Sequence, residues 1–143
     1  VLRCGIDQGA GGPRTVWIDC DVIEADGSTR TASINGAYLA LYDCFRKIRN
    51  EGRIKHDPLK HGLAAVSVGL VDGKVLLDLN YEEDSRADGD FNVIASHEGD
   101  IIEVQGTAEK RPIPRAKFDE CLGLAQKGIK EIMAQQNTAL LRV

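Results

Sequence analysis

Long apolar runs are missing from this 143-residue chain. None approaches the ~20 residues that a membrane-crossing helix requires, so no membrane partner is expected. The opening stretch, Val1 to Gly12, has few apolar residues and much glycine, which is not the pattern of a secretory signal. Cytoplasm is therefore the expected location, and the absence of an initial Met leaves the native N-terminus open. Positive charge is in deficit: 18 Lys and Arg against 22 Asp and Glu give a net charge of −4. That excludes coating of nucleic acid through bulk charge and leaves local basic sites open. Cys4, Cys20, Cys44 and Cys121 show no C-x-x-C and no zinc-site spacing, so they read as buried or free thiols of a reducing compartment. Aromatic residues are few, at 5%, and no interleaving of them suggests a base-stacking surface; Trp17 is expected in the core.

What remains is the composition of a soluble globular protein, 43% hydrophobic and 28% charged. Membrane, collagenous, disulfide-scaffold and disordered classes are excluded. Arg14 to Ile23 alternates Val16, Ile18, Cys20 and Val22 against Trp17, Asp19 and Asp21, which predicts a half-buried strand. Ser28 or Thr29 is a helix N-cap, and Ala37, Leu41, Phe45 and Ile48 form one apolar helical face ending near Asn50 and Gly52. Residues 51–62, polar and containing Pro58, read as a connector. Strands are predicted at Leu63–Val71 and Lys74–Tyr81, joined by Asp72-Gly73, the strongest hairpin signal in the chain. An acidic loop, Glu82 to Asp90, leads to strands at Phe91–Ser96 and Ile101–Gln105. From Pro114 a helix follows, with Phe118, Leu122, Ala125, Ile129 and Ile132/Met133 on one face. The pattern implies an α+β layer fold, helices against a largely antiparallel sheet.

Two places could carry chemistry. Asp26-Gly27-Ser28-Thr29-Arg30 lies at a strand-to-helix turn, where unpaired backbone N–H groups and the helix dipole favour an anion. Thr29 adds a hydroxyl and Arg30 a planar fork matched to phosphate. A capped helix with a surface Arg is the plainer alternative. The second place is the acidic stretch, with Asp78 at a strand end and Asp84 in the loop beyond it, and Glu82, Glu83, Asp88 and Asp90 nearby. Such carboxylates can hold Mg²⁺ or exchange protons, or simply form a solvated loop. The neighbours of Asp78 predict its partial burial. His56, His61 and His97 read as surface residues, and no catalytic triad can be argued from spacing.

In this order the two places resemble the ribonuclease PH family. The resemblance rests on W-I-D-C-D-V-I-E-A-D-G-S-T-R-T-A-S-I-N-G-A (Trp17–Ala37), A-A-V-S-V-G-L-V-D-G (Ala64–Gly73), L-D-L-N-Y-E-E-D-S (Leu77–Ser85) and E-V-Q-G-T-A-E (Glu103–Glu109). It implies a ribonuclease PH-like α+β fold, helices on a mixed, largely antiparallel sheet, with the N-terminal part of the family fold absent. Residues 1–58 would be the C-terminal part of the first family domain and 59–143 the second. The implied activity is phosphate-dependent 3′-to-5′ exoribonuclease action that trims tRNA 3′ ends and releases nucleoside diphosphates. Gly27, Ser28, Thr29 and Arg30 would hold inorganic phosphate, and Asp78 and Asp84 would serve catalysis and bind a metal, Mg²⁺. RNA and a homo-oligomeric, hexameric ring are the implied partners. The alternatives are a non-catalytic RNA-binding or scaffold subunit of an exosome-like ring, and a simple phosphate- or nucleotide-binding module. Two positions depart from the family pattern: Ser28 stands where a second glycine is usual, and Asn35 replaces a common Thr, a change expected to be without consequence.

Overall fold

Nine consecutive residues buried from water, Leu63–Val71, form the central strand β1. Their alternation is hidden because both faces are covered. Ala64, Val66 and Val68 pack with Val93 and Ala95 against Cys121, Ala125 and Ile129 of helix α3 (Arg115–Leu140). Leu63, Ala65 and Ile94 pack against Tyr38 of helix α1 (Thr29–Asn50) on the opposite face. Strands β2 (Lys74–Leu77), β3 (Gly89–Ser96) and β4 (Ile101–Ala108) complete a four-stranded sheet in the order β2-β1-β3-β4. All three pairings are antiparallel, so the sheet has no parallel member among the described residues. This computed structural model describes residues 1–7, 9, 10, 12 and 14–141.

The local signals account for most of these elements. Asp72 and Gly73 both have positive φ, 50° and 78°, as a two-residue hairpin turn with matching strand twist requires. Helix α1 starts at Thr29, directly after the expected cap at Ser28, and Pro114 sits at the cap position of α3. The connector is less polar in effect than its composition: Ile54 is buried with Leu41 and Phe45, and Ile6 bridges to Leu59. No helix among the described residues is long and apolar enough to cross a membrane.

Three expectations are corrected. Residues 14–22 form no strand; they run as an exposed arm, with Trp17 87% and Ile23 99% accessible rather than in the core. A strand needs a neighbour to satisfy its N–H and C=O groups, and none of the described residues supplies one here. β2 stops at Leu77, because Asp78 turns the chain with φ 56°. The acidic stretch is not a loop throughout: Tyr81–Arg86 is a short helix, α2. Its cap is reciprocal, Glu83 N–H donating to the Asn80 side chain and Asn80 N–H to the Glu83 carboxylate.

Candidate functional site

The start of α1 is docked onto the turn that follows β2. Gly27 lies so close to that turn that a β-carbon on it would stand 2.5 Å from the Leu79 carbonyl oxygen. Its φ of 141° belongs to glycine. Ser28 follows in the left-handed conformation, φ 51° and ψ 27°, which explains why a glycine suits this position. Its hydroxyl does not cap α1. Instead Ser28 Oγ pairs with Ser67 Oγ of β1 and donates to the Leu79 carbonyl at 3.3 Å. Ser67 Oγ also accepts the Leu79 N–H at 3.1 Å, and its backbone carbonyl accepts the Asp78 N–H at 2.8 Å. Tyr81 N–H reaches the Asp26 carboxylate at 3.4 Å. One hydrogen-bonded knot therefore sets residues 26–28 against residues 78–81.

The helix side of this knot presents the positive end of the α1 dipole. The first N–H groups of α1 have no helical acceptor, and Thr29 lines the adjoining groove of about 510 Å³ together with Asp26 and Gly27. Thr31, which is buried, uses its hydroxyl on the Ser28 carbonyl at 2.9 Å. Arg30 is turned towards the β4 edge of the sheet, where one terminal nitrogen donates to Glu103 at 2.5 Å. The sequence reading missed Glu103 as its partner, although it lies in the E-V-Q-G-T-A-E run. The register shows what that run does. Glu103 stands opposite Ile94, Gln105 opposite Asn92 and Thr107 opposite Asp90, so the polar residues all share the α1 face of the sheet.

The carboxylates occupy the other flank. Asp78 is exposed rather than partly buried, because its left-handed backbone carries it out of the strand. Asp84 lies on α2 and is also exposed. Burial, with the neighbouring charge of Asp84, raises the Asp90 carboxyl above its ordinary range. Asp78 and Asp84 do not belong to a described group of three ligands with all ligand atoms within 4.8 Å of one another. Two open carboxylates suit Mg²⁺, which keeps several waters and leans on substrate phosphates. Asn35, expected to be without consequence, clamps β1: it donates to the Ala65 carbonyl and accepts the Ala65 N–H, each at 2.8 Å.

Comparison with known proteins identifies the family and the fold. The family model described as "3' exoribonuclease family, domain 1" matches residues 2–47, and "3' exoribonuclease family, domain 2" matches residues 62–128. Curated proteins named ribonuclease PH from Syntrophomonas wolfei and Parasynechococcus marenigrum are each 52% identical over 97% of the chain. The chain spans 58% and 56% of their lengths, little more than half. Among solved structures, rice Rrp46 superposes with a TM-score of 0.65 at 22% identity, over 84% of this chain and 51% of that one. A structure titled as the Archaeoglobus fulgidus exosome with RNA bound to the active site does so at 0.65 and 19%, over 79% and 45%. These two likenesses show a common fold.

Proposed function

The chain belongs to the 3′ exoribonuclease family, and from that premise we propose that it forms the phosphate and carboxylate part of a ribonuclease PH-type phosphorolytic enzyme. The observation that carries the reading is the knot among Ser28, Ser67 and Leu79, which sets the start of α1 beside Asp78. Inorganic phosphate takes the place in front of α1, held by the first N–H groups and the Thr29 hydroxyl. Gly27 and Ser28 shape the backbone that approaches it. Arg30, 47% exposed and engaged through one terminal nitrogen, has further donors to turn to the phosphate.

In the reaction, a phosphate oxygen attacks the phosphorus of the last phosphodiester of an RNA, such as a tRNA 3′ end. A new P–O–P bond forms, the bond to the preceding 3′ oxygen breaks, and that oxygen leaves as a 3′ hydroxyl once protonated. The products are a nucleoside diphosphate and an RNA one residue shorter. The chain's contribution is positioning and charge: the helix start and Arg30 fix the nucleophile, while Asp78 and Asp84 would hold Mg²⁺. When bound, that ion neutralises charge on the phosphates. The wider reading extends the family resemblance to a cytoplasmic homo-oligomeric ring, with residues 1–58 completing one family domain and 59–143 forming the next. The joint presence of Thr29, Arg30, Asp78 and Asp84 favours the enzyme over a non-catalytic scaffold subunit.

The test is an RNA-trimming assay with and without inorganic phosphate. It is run on this chain alone and on a chimera carrying the upstream segment of the Syntrophomonas relative. Nucleoside diphosphates should appear only with phosphate, and Arg30→Ala or Asp84→Asn should lower the rate at least about a hundredfold. Monophosphate products, or a rate indifferent to both substitutions, would overturn the proposal.

A further inference from the structure

Two histidines far apart in the chain meet on the surface. His61, just before β1, and His97, in the β3–β4 turn, stack with ring centroids 5.9 Å apart and planes inclined by 30°. Glu98 reaches both: one carboxylate oxygen is 3.4 Å from His61 Nδ1 and the other 3.2 Å from His97 Nδ1. A ligand atom from each of the three lies within 4.8 Å of the others, and all three residues are exposed. The backbone beneath them is tied down. His97 N–H donates to the Gly62 carbonyl at 3.0 Å, which fastens the hairpin turn to the residue next to His61. Ser96 Oγ donates to Glu98 at 3.0 Å and accepts the Asp100 N–H at 3.3 Å. Gly99, with φ 95°, closes the turn.

We infer that His61, His97 and Glu98 form a binding site for a divalent transition-metal ion of the Zn²⁺ class. Two imidazole nitrogens and one carboxylate oxygen are a donor set that such an ion takes, with a fourth position left for water. Mg²⁺ prefers oxygen donors alone, so this site does not compete for the ion assigned to Asp78 and Asp84. An ordinary surface ion pair needs one histidine beside one carboxylate. Here two rings converge on the two oxygens of a single carboxylate. A single metal centre satisfies both rings and the carboxylate at once. The bound ion would clip the β3–β4 turn to the segment that enters β1, which raises thermal stability by mass action.

Calorimetric titration of the whole chain with Zn²⁺ should show saturable one-to-one uptake. His61→Ala and His97→Ala, on separate segments, should each weaken it at least about tenfold. Cys4, Cys20 and Cys44 are exposed thiols and offer a rival site. A variant with all three changed to Ser should bind as the parent does, and Co²⁺ should give four-coordinate absorption without thiolate charge transfer. In long-range ¹H–¹⁵N spectra of the unaltered chain, the His61 and His97 imidazole nitrogens should move with Zn²⁺ while those of His56 stay. Absence of saturable uptake, uptake that survives loss of both histidines, or uptake that vanishes with the thiols would overturn the inference.

Discussion

Gly27 has the least room for change of any residue in the turn. A methyl group there meets the Leu79 carbonyl oxygen at 2.5 Å and must also adopt a φ of 141°. Gly27→Ala is expected to lift the turn from the Asp78–Asn80 backbone and to cost about 1–3 kcal/mol, read by urea unfolding. An alanine variant as stable as the parent would refute the close approach. Ser67→Ala removes the acceptor of the Leu79 N–H and the partner of Ser28 at a position only 6% exposed. A loss of about 1–3 kcal/mol is expected, together with weaker phosphate binding. Asp90 supplies a pH dependence of defined sign. Burial first, then the Asp84 charge, raises its carboxyl above the ordinary 3.8 despite an opposing backbone hydrogen bond. The folded chain therefore holds this proton more tightly than the unfolded chain. The associated stability is complete below that ordinary value and is lost as pH rises through the folded one. Asp90→Asn should melt above the parent near about pH 7, and the difference should shrink to nothing towards about pH 3.

Strand β1 shows how an element can be finished by a side chain. β2 pairs with β1 only over Val68–Val71, so the edge of β1 at Ala65 would be unpaired without Asn35. Asn35→Ala strands both a backbone N–H and a C=O, and about 1–3 kcal/mol of destabilisation is expected. Hydrogen exchange at Ala65 should quicken more than at Val93 in the same sheet; equal protection would mean the clamp carries nothing. This contact could not be read from the chain, since 30 residues separate its two ends and nothing in the local pattern marks it. Elements governed by local rules were legible: β1, the Asp72-Gly73 hairpin, α1 and α3 lie where periodicity and turn chemistry put them. Helix α2 carried a readable signal, Asn80 three residues before Glu83, but the acidic composition masked it. The arm at 14–22 misled because alternation predicts a strand only when another strand lies beside it. In the candidate site, the family motifs marked Gly27, Ser28 and Asp78, but the knot that sets residues 26–28 against residues 78–81 could not be read from them. The Arg30–Glu103 pair and the His61–His97 stack depend on tertiary proximity and were invisible.

Apolar surface is unevenly distributed over the whole molecule. The sheet is covered on one face by α1 and on the other by α3, whereas the arm leaves Val16, Trp17, Val22 and Ile23 outside. Between this arm and α1 runs the groove of about 510 Å³, floored by the small residues Ala32, Gly36 and Ala40. Contiguous apolar surface of this kind is uncommon on a protein that works as a monomer. The curated relatives are longer than this chain, and if their further length contributes strands, the arm is where those strands would pair. Trp17 is the sole tryptophan, so its fluorescence reports on the arm with no background from elsewhere. For this chain alone the emission should resemble that of tryptophan in water and be quenched freely by acrylamide, as 87% exposure requires. In the chimera with the relative's upstream segment, the emission should shift to the blue and quenching should fall as the indole enters a packed sheet. A blue, protected signal from the chain alone would contradict the exposed arm. An unchanged signal in a folded, active chimera would retain the enzyme reading and discard the arm as the place where the added segment pairs.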